Sequence, residues 1–196
     1  MSTTVQQAGS ESEQLAISIL ADAFGDDPVM TWISSAETYP NFAFTLALSI
    51  FSPQHQLFLA QNESGAAIWL PPGVRTSRLA GLPILRSTWW RYGWKTALRC
   101  LAALDCMDKH HPTEDHYYLF AVGVRSGAQG QGTGSALLQT VLERADREGL
   151  PAYLENTNAR NLPLYERHGF EVTRQLHLPR GGPPVWFMWR RPADSR

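Results

Sequence analysis

A glycine-rich turn between a predicted strand and a predicted helix is the part of this chain whose residue types could bind a charged ligand. Gly130, Gly132 and Gly134 alternate with polar residues, and an amphipathic stretch follows them. Glycine lacks a Cβ, so the backbone can approach a ligand closely. The following helix offers unpaired N–H groups and the positive end of its dipole. We therefore predict that this turn binds a phosphate group.

Three glycine-rich designs could account for this turn. A P-loop requires Gly-Lys-Ser/Thr, and the turn contains no lysine. A dinucleotide fingerprint requires a third glycine where this chain has Ser135, and it usually opens a fold. The remaining pattern is Gln/Arg-x-x-Gly-x-Gly/Ala, which Gln129, Gly132 and Gly134 fill. It resembles the pyrophosphate loop of the GNAT superfamily, the acyl-CoA-dependent N-acyltransferases.

A second motif, in residues 151–170, makes this resemblance more specific. It combines a strand, a helix start led by asparagine, Tyr165 within that helix and a closing Gly169-Phe170. These features are similar to the second half of the superfamily's acyl-CoA site. More narrowly, the chain resembles puromycin N-acetyltransferase-like members from near Ala21 to its C-terminus. That likeness runs through Ala67–Trp69, Val122–Val124 and Asn161–Arg167.

The resemblance implies a binding site for acetyl-CoA along the glycine loop and the strand before it. The diphosphate would lie on loop N–H groups, and the strand backbone would contact the pantetheine arm and the thioester oxygen. For the two asparagines of the second motif, the alternative that one of them only caps a helix stays open. The residues implied are Val122, Gly123, Val124, Gln129, Gly130, Gln131, Gly132, Thr133, Gly134, Ser135, Asn158, Asn161 and Tyr165.

Acyl transfer to an amine also needs a proton acceptor and a proton for the leaving thiolate. Tyr165 is the candidate acid, because a phenol is protonated at neutral pH and the matching tyrosine of the family lies beside the CoA sulfur. The alternative is a packing tyrosine. Glu155, at the end of a predicted strand, could accept the amine proton directly or through water, or it could be structural and orient Arg160. Glu114 and Asp115 are alternative bases.

Histidine and tryptophan clusters are the other features that could carry chemistry. Neither cysteine nor carboxylate completes a known metal-ligand spacing around His110, His111 and His116, and adjacent histidines point apart, so we predict no metal site. The tryptophans could stack on an aromatic acceptor, line its pocket or pack in the core. They are Trp89, Trp90 and Trp94 for stacking or core packing, and Trp32 and Trp69 as pocket walls.

Composition limits the domain number and the partners. A chain of 196 residues with 43% hydrophobic residues suits one domain. The 17 basic and 18 acidic residues leave a net charge of −1, which disfavours nucleic-acid and membrane partners. Residues 1–13 are polar and predict a flexible N-terminus without a signal peptide, hence a cytoplasmic protein. We expect residues 14–196 to form one domain, with acceptor-side elements at about 14–115 and an acyl-CoA core at about 116–175.

The predicted fold is α/β: a mixed, mostly antiparallel sheet flanked by helices and splayed around the acyl-CoA site, as the resemblance implies. Hydrophobic periodicity and turn signals give the individual elements. Predicted helices cover 14–24, a short segment from Pro28, 42–51 with Asn41 as cap, 77–109 with breaks at Pro83 and Gly93, 134–147 and 162–168. Predicted strands cover 57–61, 65–70, 117–124, 152–155, 171–175 and 185–190.

Together these features predict an acetyl-CoA-dependent N-acetyltransferase that acts on a primary amine of a small, antibiotic-like molecule. The amine would attack the thioester directly, without a covalent enzyme intermediate. Two alternatives stay open: acetylation of a protein or peptide amine, and a non-catalytic acyl-CoA sensor on the same fold. A homodimer is also left open.

Overall fold

A computed structural model describes residues 3–51, 54–74 and 81–193, except for the side chains of residues 81–83. The strands are β1 (Val5–Ala8), β2 (Gln56–Ala60), β3 (Gly65–Leu70), β4 (Tyr117–Val124), β5 (Ala152–Asn156), β6 (Glu171–His177) and β7 (Pro184–Arg190). The helices are α1 (Glu13–Ala23), α2 (Pro28–Ile33), α3 (Tyr39–Phe51), α4 (Gly81–Tyr92), α5 (Trp94–His110), α6 (Thr133–Glu148) and α7 (Leu162–Arg167).

The strands form one seven-stranded sheet in the order β1-β2-β3-β4-β5-β7-β6. Every neighbouring pair is antiparallel except β4 and β5, which are parallel. A parallel pair needs a long crossover, and α6 supplies it. This is the predicted mixed, mostly antiparallel sheet flanked by helices.

The central strands β4 and β5 separate soon after they begin to pair. Their pairing covers only Tyr117–Leu119 against Ala152–Leu154, although β4 continues to Val124. On its other edge β4 carries Phe120 as an extra residue opposite β3, which is a β-bulge. Bulges bend a strand and increase its twist. The sheet therefore opens between the C-terminal ends of β4 and β5.

Helices cover both faces of the sheet. On one face α6 packs its apolar stripe on β3, β4 and β5, with Leu137, Leu138 and Val141 fully buried. On the other face α1 and α3 cover β2 and β3, and α2 and α5 cover β5 and β7. A Cβ at Gly123 would lie 2.7 Å from the Ala23 Cβ, so glycine lets α1 pack directly on β4.

A strand lies in the N-terminal segment that we predicted to be flexible. Within the described part of it, Val5–Ala8 forms β1 and pairs with β2 through the register Val5↔Ala60 to Ala8↔Leu57. The segment is short and largely polar, so its own pattern gives little sign of a strand. The apolar edge of β2 selects this conformation, because an unpaired edge leaves backbone hydrogen-bonding groups unused.

Two predictions about the helices were also wrong. Asn41 is not a cap, because α3 already begins at Tyr39. Pro83 does not interrupt a helix either, since α4 runs through it from Gly81 to Tyr92. The break at Gly93 is confirmed by its φ of 86° between α4 and α5. The predicted helical start at residue 77 lies outside the described residues. None of the described helices is long and apolar enough to cross a membrane.

The ion pair between Arg190 and Asp146 ties the end of β7 to α6. The guanidinium donates to both carboxylate oxygens, at 2.7 and 2.8 Å, and the Ala193 N–H donates to one of them at 2.7 Å. The hydrogen bonds from Arg190 lower the pKa of Asp146. A lowered folded-state pKa means that the pair stabilises the fold at neutral pH and loses this effect as the pH falls through that pKa.

We expect Asp146→Asn to lower the free energy of unfolding by about 1–3 kcal/mol at pH 7, because charge-assisted hydrogen bonds are lost. The matched control is Asp105→Asn, which removes an exposed pair with Lys109 and should change stability by less than about 0.5 kcal/mol. Urea titrations at pH 7 and near pH 3 measure both variants. Equal stability of Asp146→Asn and the wild type at pH 7, or a difference that does not shrink at low pH, would contradict this assignment.

Candidate active site

A cavity of about 500 Å³ lies beside the opening between β4 and β5. Its wall is mainly apolar, and residues of α2, α3, α4, α5, β4, β5 and α7 contribute to it, together with the turn that follows α1. Two edge-to-face ring pairs, Phe24 with Phe44 and Phe51 with Phe120, stiffen this wall. Largely apolar clefts of this size, with a few polar groups, are typical of small-molecule sites.

Tyr165 lies in the cavity wall, on α7, and only 7% of it is exposed. Its ring packs edge-on against Phe170, with centroids 6.1 Å apart. Burial, and then the negative charge of Asp27, raise the pKa of the Tyr165 hydroxyl well above its usual value. The phenol is therefore protonated at neutral pH, which is the state that a proton donor to a thiolate requires.

Glu155 lines the same cavity from β5, and 5% of its side chain is exposed. The Tyr153 hydroxyl donates to its Oε1 at 2.9 Å, and the His111 Nδ1 lies 3.5 Å from the same oxygen. Arg160 does not contact Glu155 as the structural alternative proposed. It forms an exposed ion pair with Asp26 at 2.7 Å instead. Glu155 is thus held by the Tyr153 hydroxyl and faces the His111 imidazole in the cavity wall.

The alternative bases lie elsewhere. Glu114 and Asp115 are exposed, and neither is part of the cavity wall. They precede β4, where we expected a solvated loop. Glu155 therefore remains the carboxylate in the cavity that the sequence singled out.

Asp27 is a cavity residue that the sequence analysis treated only as part of a turn. It caps α2 by accepting from the backbone N–H groups of Val29 and Met30, at 2.9 and 3.0 Å. Its other oxygen accepts from the Thr157 hydroxyl, in the loop that leads to α7. Burial raises the pKa of Asp27 against the opposing effect of these hydrogen bonds. An aspartate before proline is an N-cap signal, but the pattern could not show that it faces a cavity.

The glycine loop has the geometry of an anion site at the exposed mouth of the sheet opening. Gly130 and Gly132 have φ values of 78° and 84°, and Gly132 is the N-cap of α6. The Gln129 side-chain amide donates to the Val124 carbonyl at 3.2 Å and closes the turn. The first intrahelical bond of α6 joins Ala136 N to Gly132 O. First-turn N–H groups of a helix have no partner within it, so they point toward the place where an anion would bind.

The predicted CoA residues fall into separate groups in the structure. Val122 and Asn161 line the cavity together with Tyr165. Asn158 caps the 3-10 turn Ala159–Asn161 just before α7, because its Oδ1 accepts from the Arg160 N–H at 3.1 Å. The other predicted contacts follow β4, the exposed loop and the first turn of α6. They are Gly123, Val124, Gln129, Gly130, Gln131, Gly132, Thr133, Gly134 and Ser135.

The prediction that Trp32 and Trp69 are pocket walls was wrong. Trp69 is fully buried in the core, and none of the five tryptophans considered is among the cavity residues. Trp89, Trp90 and Trp94 are exposed by 59%, 85% and 59%, so none of them packs in the core. Phenylalanine and tyrosine residues of α3, β4 and α7, with Phe24 after α1, form the aromatic wall instead. Helical periodicity assigns a residue to a face but not to the element that covers it.

The three histidines separate into two environments. His111 lines the cavity, whereas the His110 Nδ1 lies 2.7 Å from the Cys106 carbonyl oxygen and its ring packs on Phe187. His116 lies behind His111, with ring centroids 5.0 Å apart. No group of three or more potential metal ligands is found in the described ranges.

Comparison with known proteins identifies the family. Residues 51–170 match the model of the Acetyltransferase (GNAT) family, and the chain belongs to this family. It is therefore a GNAT-type acetyltransferase with the fold predicted from its sequence.

Full-length relatives support this assignment. An uncharacterized N-acetyltransferase of Schizosaccharomyces pombe is 29% identical over 92% of this chain and 80% of its own length. A crystal structure from Corynebacterium glutamicum, described as histone acetyltransferase HPA2 and related acetyltransferase, is 26% identical with a TM-score of 0.70 and covers 98% of both chains. Arylalkylamine N-acetyltransferase 2 of Aedes aegypti, at 14% identity, a TM-score of 0.68 and coverage of 97% and 99%, shows the shared fold alone.

We expect Gly132→Asp to weaken acetyl-CoA binding by about 100-fold or more. The variant places a carboxylate and a strained backbone at the loop, so at least two charge-assisted contacts to the diphosphate are lost. Calorimetric titration measures the affinity. Gly181→Asp is the matched control, since Gly181 also has a positive φ, 73°, and open space around it, but lies in the β6–β7 turn. Equal weakening in both variants, or none in Gly132→Asp, would show that the loop does not bind the diphosphate.

Proposed function

We propose that this GNAT acetyltransferase transfers the acetyl group of acetyl-CoA to a primary amine of a small molecule. One observation carries the proposal: a largely apolar cavity with Tyr165 and Glu155 in its wall adjoins the opening between β4 and β5. Such a cavity can take an amine-bearing compound on one side and a thioester on the other. A closeness to puromycin N-acetyltransferase-like proteins, and a cytoplasmic location, remain parts of this proposal.

Acetyl-CoA would bind from the loop side. The diphosphate would lie on the N–H groups of residues 130–135, and the pantetheine arm would enter the gap between the strands. Beyond Leu119, β4 no longer pairs with β5, so its backbone groups on that edge are left for pantetheine and the thioester oxygen. This placement would bring the thioester toward Tyr165 and the cavity.

The form of the cavity favours a small acceptor over a protein. About 500 Å³ lined by phenylalanine, tyrosine and aliphatic side chains suits a compact molecule with an apolar body. Asp27 and Glu155 supply negative charge or hydrogen-bond acceptors for its amine. A peptide acceptor would call for an open groove rather than a cavity.

The proposed reaction is direct attack of the neutral amine on the thioester carbonyl carbon. The C–N bond forms, the tetrahedral intermediate collapses, and the C–S bond breaks with its electron pair on sulfur. Tyr165 donates its proton to the departing thiolate, and the amine proton is accepted by Glu155 or by a neighbouring group that Glu155 positions. A proton donor is thus placed at the sulfur and a proton acceptor at the nitrogen.

Thiol release from acetyl-CoA against a panel of amines, including puromycin, polyamines and arylalkylamines, tests the function. We expect amine-dependent release, and we expect Tyr165→Phe to lower kcat by about 100-fold while the acetyl-CoA affinity changes by less than about threefold. Tyr117→Phe is the control, because its hydroxyl donates to Glu148 at 2.7 Å outside the cavity. Binding without release would favour a sensor, and release with peptides alone would favour a protein acetyltransferase.

A further inference from the structure

His111 and Glu155 form a carboxylate–histidine pair in the cavity wall. The His111 Nδ1 lies 3.5 Å from Glu155 Oε1, and both residues line the cavity. They come from different elements, since Glu155 is on β5 and His111 follows the last residue of α5. With a proton on Nδ1 facing the carboxylate, the lone pair of the imidazole is on Nε2. This is the form in which a histidine can accept a proton.

Aromatic rings hold His111 in place. Its ring meets Tyr118 and Tyr153 edge-on, with centroid distances of 4.8 and 4.9 Å and interplanar angles of 83° and 84°. The Tyr153 hydroxyl donates to the same carboxylate oxygen that faces His111. Burial, and then the charge of Glu155, raise the pKa values of both tyrosines, so they are hydrogen-bond donors and not competing bases.

His116 supports the pair from behind. Its Nδ1 lies 2.6 Å from the Glu114 carbonyl oxygen, so a proton on this nitrogen completes a hydrogen bond. Burial lowers the pKa of His116, which keeps this ring neutral near pH 7. A neutral neighbour does not repel a proton that arrives on His111.

The remaining titratable groups near the pair do not replace it. On α5, Lys109 is paired with Asp105 at 2.6 Å, and His110 turns toward the Cys106 carbonyl oxygen. Asp108 lines the cavity one turn before His111 and adds negative charge. Before β4, Glu114 and Asp115 are exposed. The Glu155 carboxylate is the charged group placed against the His111 Nδ1.

We propose that His111 removes the proton from the acceptor amine and that Glu155 is the residue that positions it. This inference rests on the proposed function and names the proton acceptor of the same site. Glu155 then acts through His111 instead of touching the amine. The side chain of His111 is 19% exposed, so a proton taken up in the cavity has a route to water.

The proton balance of the reaction fits this assignment. An ammonium ion carries three N–H protons and the product amide carries one. One proton passes to the His111 Nε2 before attack and then to solvent, as the nitrogen lone pair becomes available for the C–N bond. The second leaves the nitrogen after attack and replaces the proton that Tyr165 gives to the thiolate. The products are the N-acetyl amine, CoA-SH and one solvent proton.

The test compares His111→Gln, Glu155→Gln and the neighbouring control His110→Gln in the full chain. The pH dependence of kcat/KM is measured for each with the best amine of the panel. We expect His111→Gln to lower kcat/KM by about 100-fold at pH 7 and to abolish the acidic limb of the wild-type profile. Glu155→Gln should keep that limb, because the proton acceptor is still present, while kcat/KM falls as the imidazole loses the partner that positions it. His110→Gln should match the wild type.

Three outcomes would overturn the proposal. One is a His111→Gln profile with the wild-type limb and nearly full activity. Another is a pH profile of kcat/KM that loses its acidic limb in Glu155→Gln but is only displaced in His111→Gln. That result would make Glu155 the base. The third concerns His111→Ala, whose activity free imidazole should restore by at least about tenfold if only the proton acceptor is missing. No restoration, in a variant that still binds acetyl-CoA, would point to a structural role.

These outcomes are distinct from failure of the proposed function. A wild-type protein that releases no thiol with any amine would remove the transferase proposal and this inference with it. An active wild type with an unchanged His111→Gln variant would remove this inference alone.

Discussion

The separation of β4 and β5 is the constraint on which the rest of the structure depends. Two neighbouring parallel strands would normally pair along their length, and here they stop after Leu119 and Leu154. Unpaired backbone groups are costly unless water or a ligand satisfies them. The bulge at Phe120 bends β4 as it leaves its partner. A slot thus arises in the centre of the sheet, between α6 on one face and the helices on the other.

Long-range contacts position the chemical groups around this slot. Asp27 caps α2 and also accepts from Thr157, while Asp26 binds Arg160, so two adjacent residues attach the acceptor side to the loop before α7. That attachment keeps the cavity wall next to Tyr165. On the other side of the cavity, the end of α5 brings His111 to Glu155. Groups that would hold protons during the reaction therefore lie on separate elements that polar contacts connect.

Local sequence patterns predicted the strands and helices better than the residues of the site. The bounds of β3 and β4 were predicted without error, because each is a near-continuous apolar run, and the turn at Gly132 was predicted from the glycine spacing. The roles of Asp27 and His111 did not follow, since Asp27 and Thr157 are 130 positions apart and nothing local specifies their contact. The exposed Trp89, Trp90 and Trp94 show the same limit: periodicity names a helix face but not its partner.

The most direct test of this account is a crystal structure of the protein with CoA. We expect the diphosphate within hydrogen-bonding distance of the N–H groups of residues 130–135, the pantetheine between β4 and β5, and the thiol sulfur within about 4 Å of the Tyr165 hydroxyl. CoA bound outside the gap between the strands, or a sulfur remote from Tyr165 and the cavity, would contradict the account.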